Sequence, residues 1–235
     1  MSLRCETIAP PDLQPHVAAA MWTLFSRYYT GTCQSAFAAD AQAKDQLFLV
    51  WDGPRLVGFN SVRYLSIDDE SVMFSGDLVM ATDVRGLASA TLFRAWATAI
   101  RGRCDWWCSL ASGPRTFRLP FLFFRRVTPG LAGEESDAER ERRHRFARTA
   151  YGSAYDANAG VVRLPHAYTL RPDVDRLRED YPLDAVFRTR NPGWSRGDEW
   201  VSLVSLQPDN WSARALRLLT ACERAPVRPR ERPAD

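Results

Sequence analysis

The chain has 235 residues, 46% of them hydrophobic and 25% charged, the proportions of an ordinary globular protein, long enough for one large domain or a domain with an elaborate extension. A net charge of only +3 argues against a nucleic-acid binder, which carries a strong basic excess or a basic face. No run of about 18 apolar residues is present to span a membrane and residues 1–20 lack the pattern of a secretory signal; together with the odd count of 5 cysteines this predicts reduced thiols and a cytoplasmic protein.

The chain begins with a predicted strand over residues 3–8, followed by a Pro10-Pro11-Asp12 turn in which Asp12 is placed to cap a helix. Val17, Met21, Leu24, Phe25 and Tyr28 recur at three- and four-residue spacing, an amphipathic helix ending near Thr30-Gly31. An alanine-rich helix is predicted over 35–44. The period then changes: apolar runs at 46–51 and 56–67 flank Asp52-Gly53, a turn dipeptide that tolerates positive φ, and a third run at 71–80 follows the polar Asp68-Asp69-Glu70. Three antiparallel strands are therefore expected after two helices.

A polar loop, 82–86, leads into a helix with Leu92, Trp96 and Ile100 on its apolar side, stopped by Gly102, and then a short buried strand at 106–110. Residues 116–126 read as a helix that Pro120 starts or kinks. The charge-dense stretch 134–151 reads as a helix with a solvated face of ion pairs. Beyond it come a strand at 160–164, a loop around Asn191-Pro192-Gly193, a strand at 200–206 and a helix at 212–223, with an Arg- and Pro-rich tail from 225 expected to be disordered.

The informative segment runs from Ser75 to Ala90: strand, loop, helix start. Small residues sit where a backbone must approach a ligand, and the leading amides of a helix form a natural site for a pyrophosphate. Arg85-Gly86-Leu87-Ala88-Ser89-Ala90, preceded by Leu78-Val79-Met80, resembles the cofactor motif of the GNAT acyltransferase superfamily, Gln/Arg-x-x-Gly-x-Gly/Ala entered from a strand reading Leu-x-Val. Ala88 stands where glycine is usual and Met80 where valine is. The order of elements over residues 3–126 also follows that family.

The resemblance implies an α/β fold with a mixed, mainly antiparallel central sheet flanked by helices. Residues 1–130 would form the acyl-CoA-binding domain, 131–224 a C-terminal α+β extension and 225–235 a tail. It implies a donor thioester, acetyl-CoA or a longer acyl-CoA, or an acyl carrier protein in its place, with no metal. Pantetheine would pair with Leu78, Val79 and Met80, and the diphosphate would lie on residues 85–90. The acceptor would be a small-molecule or peptide amine. A catalytically inactive domain that binds an acyl thioester or a protein is the alternative.

Asp77 is the candidate general base, or else a structural aspartate bonded to loop amides. The family's tyrosine acid after the fifth strand has no counterpart in 116–124, leaving water or Ser109. Phe117, Phe121, Phe123 and Phe124 read as core or, with Leu119 and Leu122, as the wall of an acyl tunnel. Asp198 and Glu199 read as turn residues or as a site for a cationic amine. Arg115, Arg118, Arg125 and Arg126 are solvated or meet phosphates. Cys104 and Cys108, with only His16, His144 and His166 in the chain, lack a zinc-ligand pattern.

Overall fold

The computed structural model describes residues 3–164, 168–171, 174 and 182–223; His166 and the expected tail lie outside them. In chain order the elements are β1 (Leu3–Ile8), α1 (Pro15–Phe25), β2 (Tyr29–Thr30), α2 (Gln34–Gln42), β3 (Gln46–Asp52), β4 (Arg55–Ile67), β5 (Glu70–Met80), α3 (Arg85–Ile100), β6 (Trp106–Ala111), α4 (Pro114–Phe123), α5 (Asp137–Tyr151), β7 (Tyr155–Asp156), β8 (Val161–Val162), β9 (Thr169–Leu170), α6 (Pro182–Arg190), β10 (Glu199–Ser205) and α7 (Ala213–Glu223). Eight strands form one sheet in the order β1-β3-β4-β5-β6-β10-β8-β7. Among the described residues its pairs are antiparallel except β5 with β6, the pair that α3 joins as a crossover. This is the mixed, mainly antiparallel sheet flanked by helices expected from the sequence.

Local physics accounts for most boundaries. Proline at the first turn of α1 needs no amide partner, and Val17, Met21, Leu24 and Phe25 form its buried stripe. Asp12 does not cap this helix. It closes a separate 3-10 turn, and Gln14 is the N-cap without a side-chain bond. The helix ends at Phe25, and Tyr29–Thr30 instead pair with Thr169–Leu170 as a small second sheet. Gly53 turns β3 into β4 at φ +56°. Pro120 lies inside α4, which starts at Pro114. Ser136 and Glu139 close a capping box on α5.

The face of α5 is less solvated than its charge density suggests. Phe146 is fully buried and Arg143 nearly so. Arg143 forms a forked pair with Glu135 at 2.9 and 3.2 Å, and Arg142 and Arg145 reach back to Glu70 at the head of β5. Phe146 packs with Phe74, Val201 and Leu203, which fixes α5 on one sheet face. The helix α3 covers the other face, where its Leu92 and Trp96 cluster with Trp107 of β6.

The pairing of β4 with β5 is irregular at one point. On β4, Asn60 faces Leu78 and Val62 faces Ser75, so the single residue Ser61 stands opposite Gly76 and Asp77. This is a bulge, which bends the strand and strengthens its twist. The parallel pairing of β5 with β6 covers Val72–Ser75 against Trp106–Ser109 and goes no further. From residue 76 onward the two strands diverge.

Gly76 sits at the bend for a steric reason. A Cβ there would lie 2.5 Å from Ser61 Oγ and 2.9 Å from Lys44 Cε. Lys44, the sole lysine among 31 basic side chains, can swing aside, but buried Ser61 cannot. Gly76→Ala is expected to destabilise the fold by about 1–3 kcal/mol, as overpacking does; a denaturation midpoint equal to that of the parent chain would show that the bend does not need this gap.

Candidate functional site

Divergence of β5 from β6 leaves the edge of residues 76–80 unpaired by any described strand. Such an edge accepts an extended ligand by main-chain hydrogen bonds. The resulting cleft, about 370 Å³, is lined by Leu78, Val79 and Met80 of β5, Gly86, Ser89 and Ala90 of α3, and Thr116, Leu119 and Leu122 of α4. Tyr28, Arg115, Arg118, Arg214 and Leu218 complete its walls.

At one end lies the start of α3. Its N-cap, Val84, makes no side-chain cap bond. The Ala88 amide donates to Val84 O at 2.9 Å, so residues 85–87 carry the leading amides of the helix. Space beside Gly86 is open, with no atom within 4 Å of where a Cβ would stand. Ala88 is fully buried in the core and Leu87 is 52% exposed; neither side chain lines the cleft. The side chain of Arg85 is outside the described set. Of the residues singled out from the sequence, Leu78, Val79, Met80, Gly86, Ser89 and Ala90 are thus brought together.

At the root of the divergence stands an acidic cluster. Asp77 is buried, its backbone oxygen accepts from Asn60 Nδ2 at 3.0 Å, and Tyr168 Oη donates to its Oδ1. Burial pushes the Asp77 carboxyl up to about 6; neighbouring Asp40 adds to the rise, while Tyr168 and Lys44 oppose it. Glu199 is also buried. Desolvation, with the Asp77 charge next in size, raises it to about 8, and Tyr168 lies within hydrogen-bonding reach. Tyr168 itself is pushed well above its ordinary value by the same burial. One phenol therefore stands between two carboxyl groups. Tyr29, Tyr168 and Glu199 line a small recess with Ser75, Gly76 and Ser112.

A third cavity, about 80 Å³, lies on the α3 side of the sheet, lined chiefly by Leu92, Phe93, Trp96, Trp107, Leu119 and Phe123. Of the aromatic residues expected to wall an acyl tunnel, only Phe123 lines it. Phe117 packs with Phe187 and Trp200, Phe124 with Trp96 and Trp211, and Phe121 lies tilted against Phe117. The cleft, the recess and this chamber meet, since Leu78 and Thr116 line all of them.

Other candidates fall elsewhere. Asp198 pairs with Arg163 at 3.1 Å, whereas Glu199 is no turn residue but the first residue of β10. Arg118 pairs with Asp184 at 3.2 Å and Arg126 with Asp209 at 2.9 Å. Cys104 and Cys108 are buried free thiols, both pushed up by burial. Among the described residues no group of three or more His, Cys, Asp or Glu side chains is arranged to hold a metal, and no helix is long and apolar enough to cross a membrane.

Sequence reasoning missed Tyr168 and misread Glu199. For Glu199 a signal existed: in a strand read from 200, alternation places residue 199 on the same face as the apolar Val201 and Leu203, which are buried. For Tyr168 none did, because its place depends on a two-residue pairing with β2.

No protein-family model and no curated protein matches the chain. Solved structures resemble it in part. One is an aminoglycoside acetyltransferase from an uncultured soil metagenomic sample, 17% identical, aligned over 44% of this chain and 75% of that one at a TM-score of 0.34. An acyl-CoA N-acyltransferase from Pseudomonas aeruginosa is 18% identical over 47% of this chain and 80% of that one, TM-score 0.37. A GNAT family N-acetyltransferase from Escherichia coli, solved with CoA, is 15% identical over 52% and 70%, TM-score 0.38. These likenesses carry no functional argument; the geometry of the cleft does.

The raised carboxyls have a consequence for stability. Asp77 and Glu199 bind protons more tightly folded than unfolded, so their contribution is fully present below about pH 4 and is lost as pH rises through about 6 and 8. Thermal denaturation between about pH 5 and pH 9 is expected to show a falling midpoint, and Glu199→Gln to flatten the fall and exceed the parent at the alkaline end. A variant with the parent's slope would mean that Glu199 is ionised throughout.

Proposed function

We propose that this chain transfers an acyl group from a CoA thioester to an amine, and that it is a GNAT-type acyltransferase. The observation that carries the reading is the divergence of β5 from β6 beyond Ser75 and Ser109, opening onto a helix start at one end and, at the other, onto the recess lined by Glu199 and by Tyr168, which is bonded to Asp77.

In this reading the pantetheine arm lies along residues 78–80 and satisfies their free edge. The diphosphate sits against the amides of 85–87 and beside Gly86. Arg214, which lines the same cleft, adds positive charge. The thioester carbonyl comes to rest where the cavities meet, at Leu78 and Thr116.

The acceptor nitrogen attacks that carbonyl, and Asp77 takes the proton that the nitrogen loses. The carbon–sulfur bond breaks and the thiolate leaves. Tyr168 protonates it, drawing on the proton that Glu199 holds near neutrality, and the proton on Asp77 returns through Tyr168 to Glu199. The cycle closes with no net change in the enzyme. Holding donor and acceptor together supplies part of the acceleration and proton transfer the rest. Tyr168 thus fills the acid role for which residues 116–124 offer no tyrosine. The burial of the Ala88 side chain in the core and the place of Tyr168 beside Asp77 favour an enzyme over a domain that only binds.

Isothermal titration with CoA and free-thiol release from acyl-CoA with a panel of primary amines test the reading together. Binding in the micromolar range with amine-dependent thiol release is expected; binding with no release under any amine supports a binding domain, and no binding at all removes the proposal. Asp77→Asn is expected to lower turnover about 10²–10⁴-fold, the usual reach of general-base catalysis, with CoA affinity retained. The pH profile is expected to rise near 6 and fall near 8, apparent values that belong to the coupled pair. Glu199→Gln should remove the alkaline limb; a profile with both limbs intact would take Glu199 out of the mechanism.

A further inference from the structure

We propose that the chamber beneath α3 is an acyl-chain pocket, and that the preferred donor carries a linear acyl group of about four carbons rather than acetyl. The inference rests on the thioester reading and names the donor more narrowly.

Its walls come from elements that surround the point of divergence. Leu92, Phe93 and Trp96 descend from α3, Trp107 rises from β6, and Leu119 and Phe123 close it from α4. The aromatic rings brace one another. Trp96 and Trp107 meet edge to face at 4.8 Å, and Phe93 and Phe123 stack at 3.7 Å. Such a wall resists collapse, so the space persists when empty.

Five polar side chains line it, Asn60, Ser75, Ser89, Ser109 and Thr116, and three of them are engaged with protein partners. Ser75 Oγ accepts from Trp107 Nε1 at 3.0 Å, Asn60 Nδ2 donates to Asp77 O, and Thr116 Oγ1 donates to Gly113 O at 2.9 Å. A water inside would find few partners, and an apolar cavity of this kind stays dry and takes apolar guests. The recess holding Glu199 and Tyr168 opens toward the same meeting point at Leu78 and Thr116. An acyl carbonyl placed there has its chain directed into the apolar chamber while the acceptor approaches from the acidic recess. Donor and acceptor selectivity would then reside in different cavities.

Size sets the chain length. An apolar cavity of about 150 Å³ accommodates benzene; the chamber's volume of about 80 Å³ is roughly half of that, room for about three carbons beyond the carbonyl. Acetyl would leave most of it empty, and a chain of eight carbons would not fit.

The test is equilibrium titration of the intact chain with free CoA, acetyl-CoA, butyryl-CoA and octanoyl-CoA. Each buried methylene contributes about fourfold in affinity, so butyryl-CoA is expected to bind about 15-fold more tightly than acetyl-CoA, with octanoyl-CoA weaker than butyryl-CoA. Leu92→Phe, which fills the chamber from α3, should reduce the butyryl-to-acetyl ratio toward one. If free CoA binds but acetyl-CoA binds as tightly as butyryl-CoA, or affinity keeps rising to octanoyl, the chamber is not the acyl pocket although the thioester reading stands. If no CoA species binds, the thioester reading falls and takes this inference with it.

Discussion

Two residues on β5 face one on β4, and much of the molecule's functional geometry depends on that mismatch. Gly76 and Asp77 share the space opposite Ser61, which turns β5 away from its parallel partner after Ser75. A regular strand would have continued the ladder and buried its own amide edge. The bend is held by Ser61, whose Oγ leaves no room for a Cβ at position 76, and by the Asn60 bond to the Asp77 carbonyl. It also delivers the Asp77 carboxyl to Tyr168 at the root of the gap.

The segment beyond α4 then completes what the bend begins. β10 pairs with β6 along its length, from Trp200 against Ala111 to Ser205 against Trp106, so the strand that β5 abandons is held straight on its other edge. The same strand brings Glu199 to the root of the gap. Tyr168 arrives through the pairing of β9 with β2 and packs edge-on against Phe25 and Tyr29. The described residues of 131–223 therefore supply three strands of the main sheet, β7, β8 and β10, and polar groups of the site, and α6 is tied to α4 by the Arg118–Asp184 pair. Two buried carboxyls so close together cost stability unless one keeps its proton, and Tyr168 between them offers a path for that proton.

The first half of the chain was legible because its signals are local. The spacing of Val17, Met21 and Leu24 announces a helix, Asp52-Gly53 a hairpin, and the polar loop after Met80 the start of a helix. Asp77 could be singled out from its place on the strand. What could not be read depends on contacts distant in sequence. Ala88 occupies a motif position usually held by glycine, yet its methyl faces the core, because helix phase rather than motif position decides which side chain meets the cleft. The phenylalanines of 117–124 are compatible in sequence with core packing or with a tunnel wall; Phe117, Phe123 and Phe124 pack against different neighbours. Charge on α5 disguised a helix whose Arg143 and Phe146 are buried. Glu199 lies one residue outside the apolar run, where a carboxylate is normally read as solvated.

Hydrogen exchange of the backbone amides, measured with and without saturating CoA, tests the central claim most directly, since it reports on the free strand edge itself. Slowed exchange confined to residues 78–80 and 85–87 is the predicted result, because those amides are the ones a pantetheine arm and a diphosphate would cover. Protection that spares both stretches while CoA is demonstrably bound would contradict the account, for the ligand would then sit elsewhere than in the gap that the bulge creates.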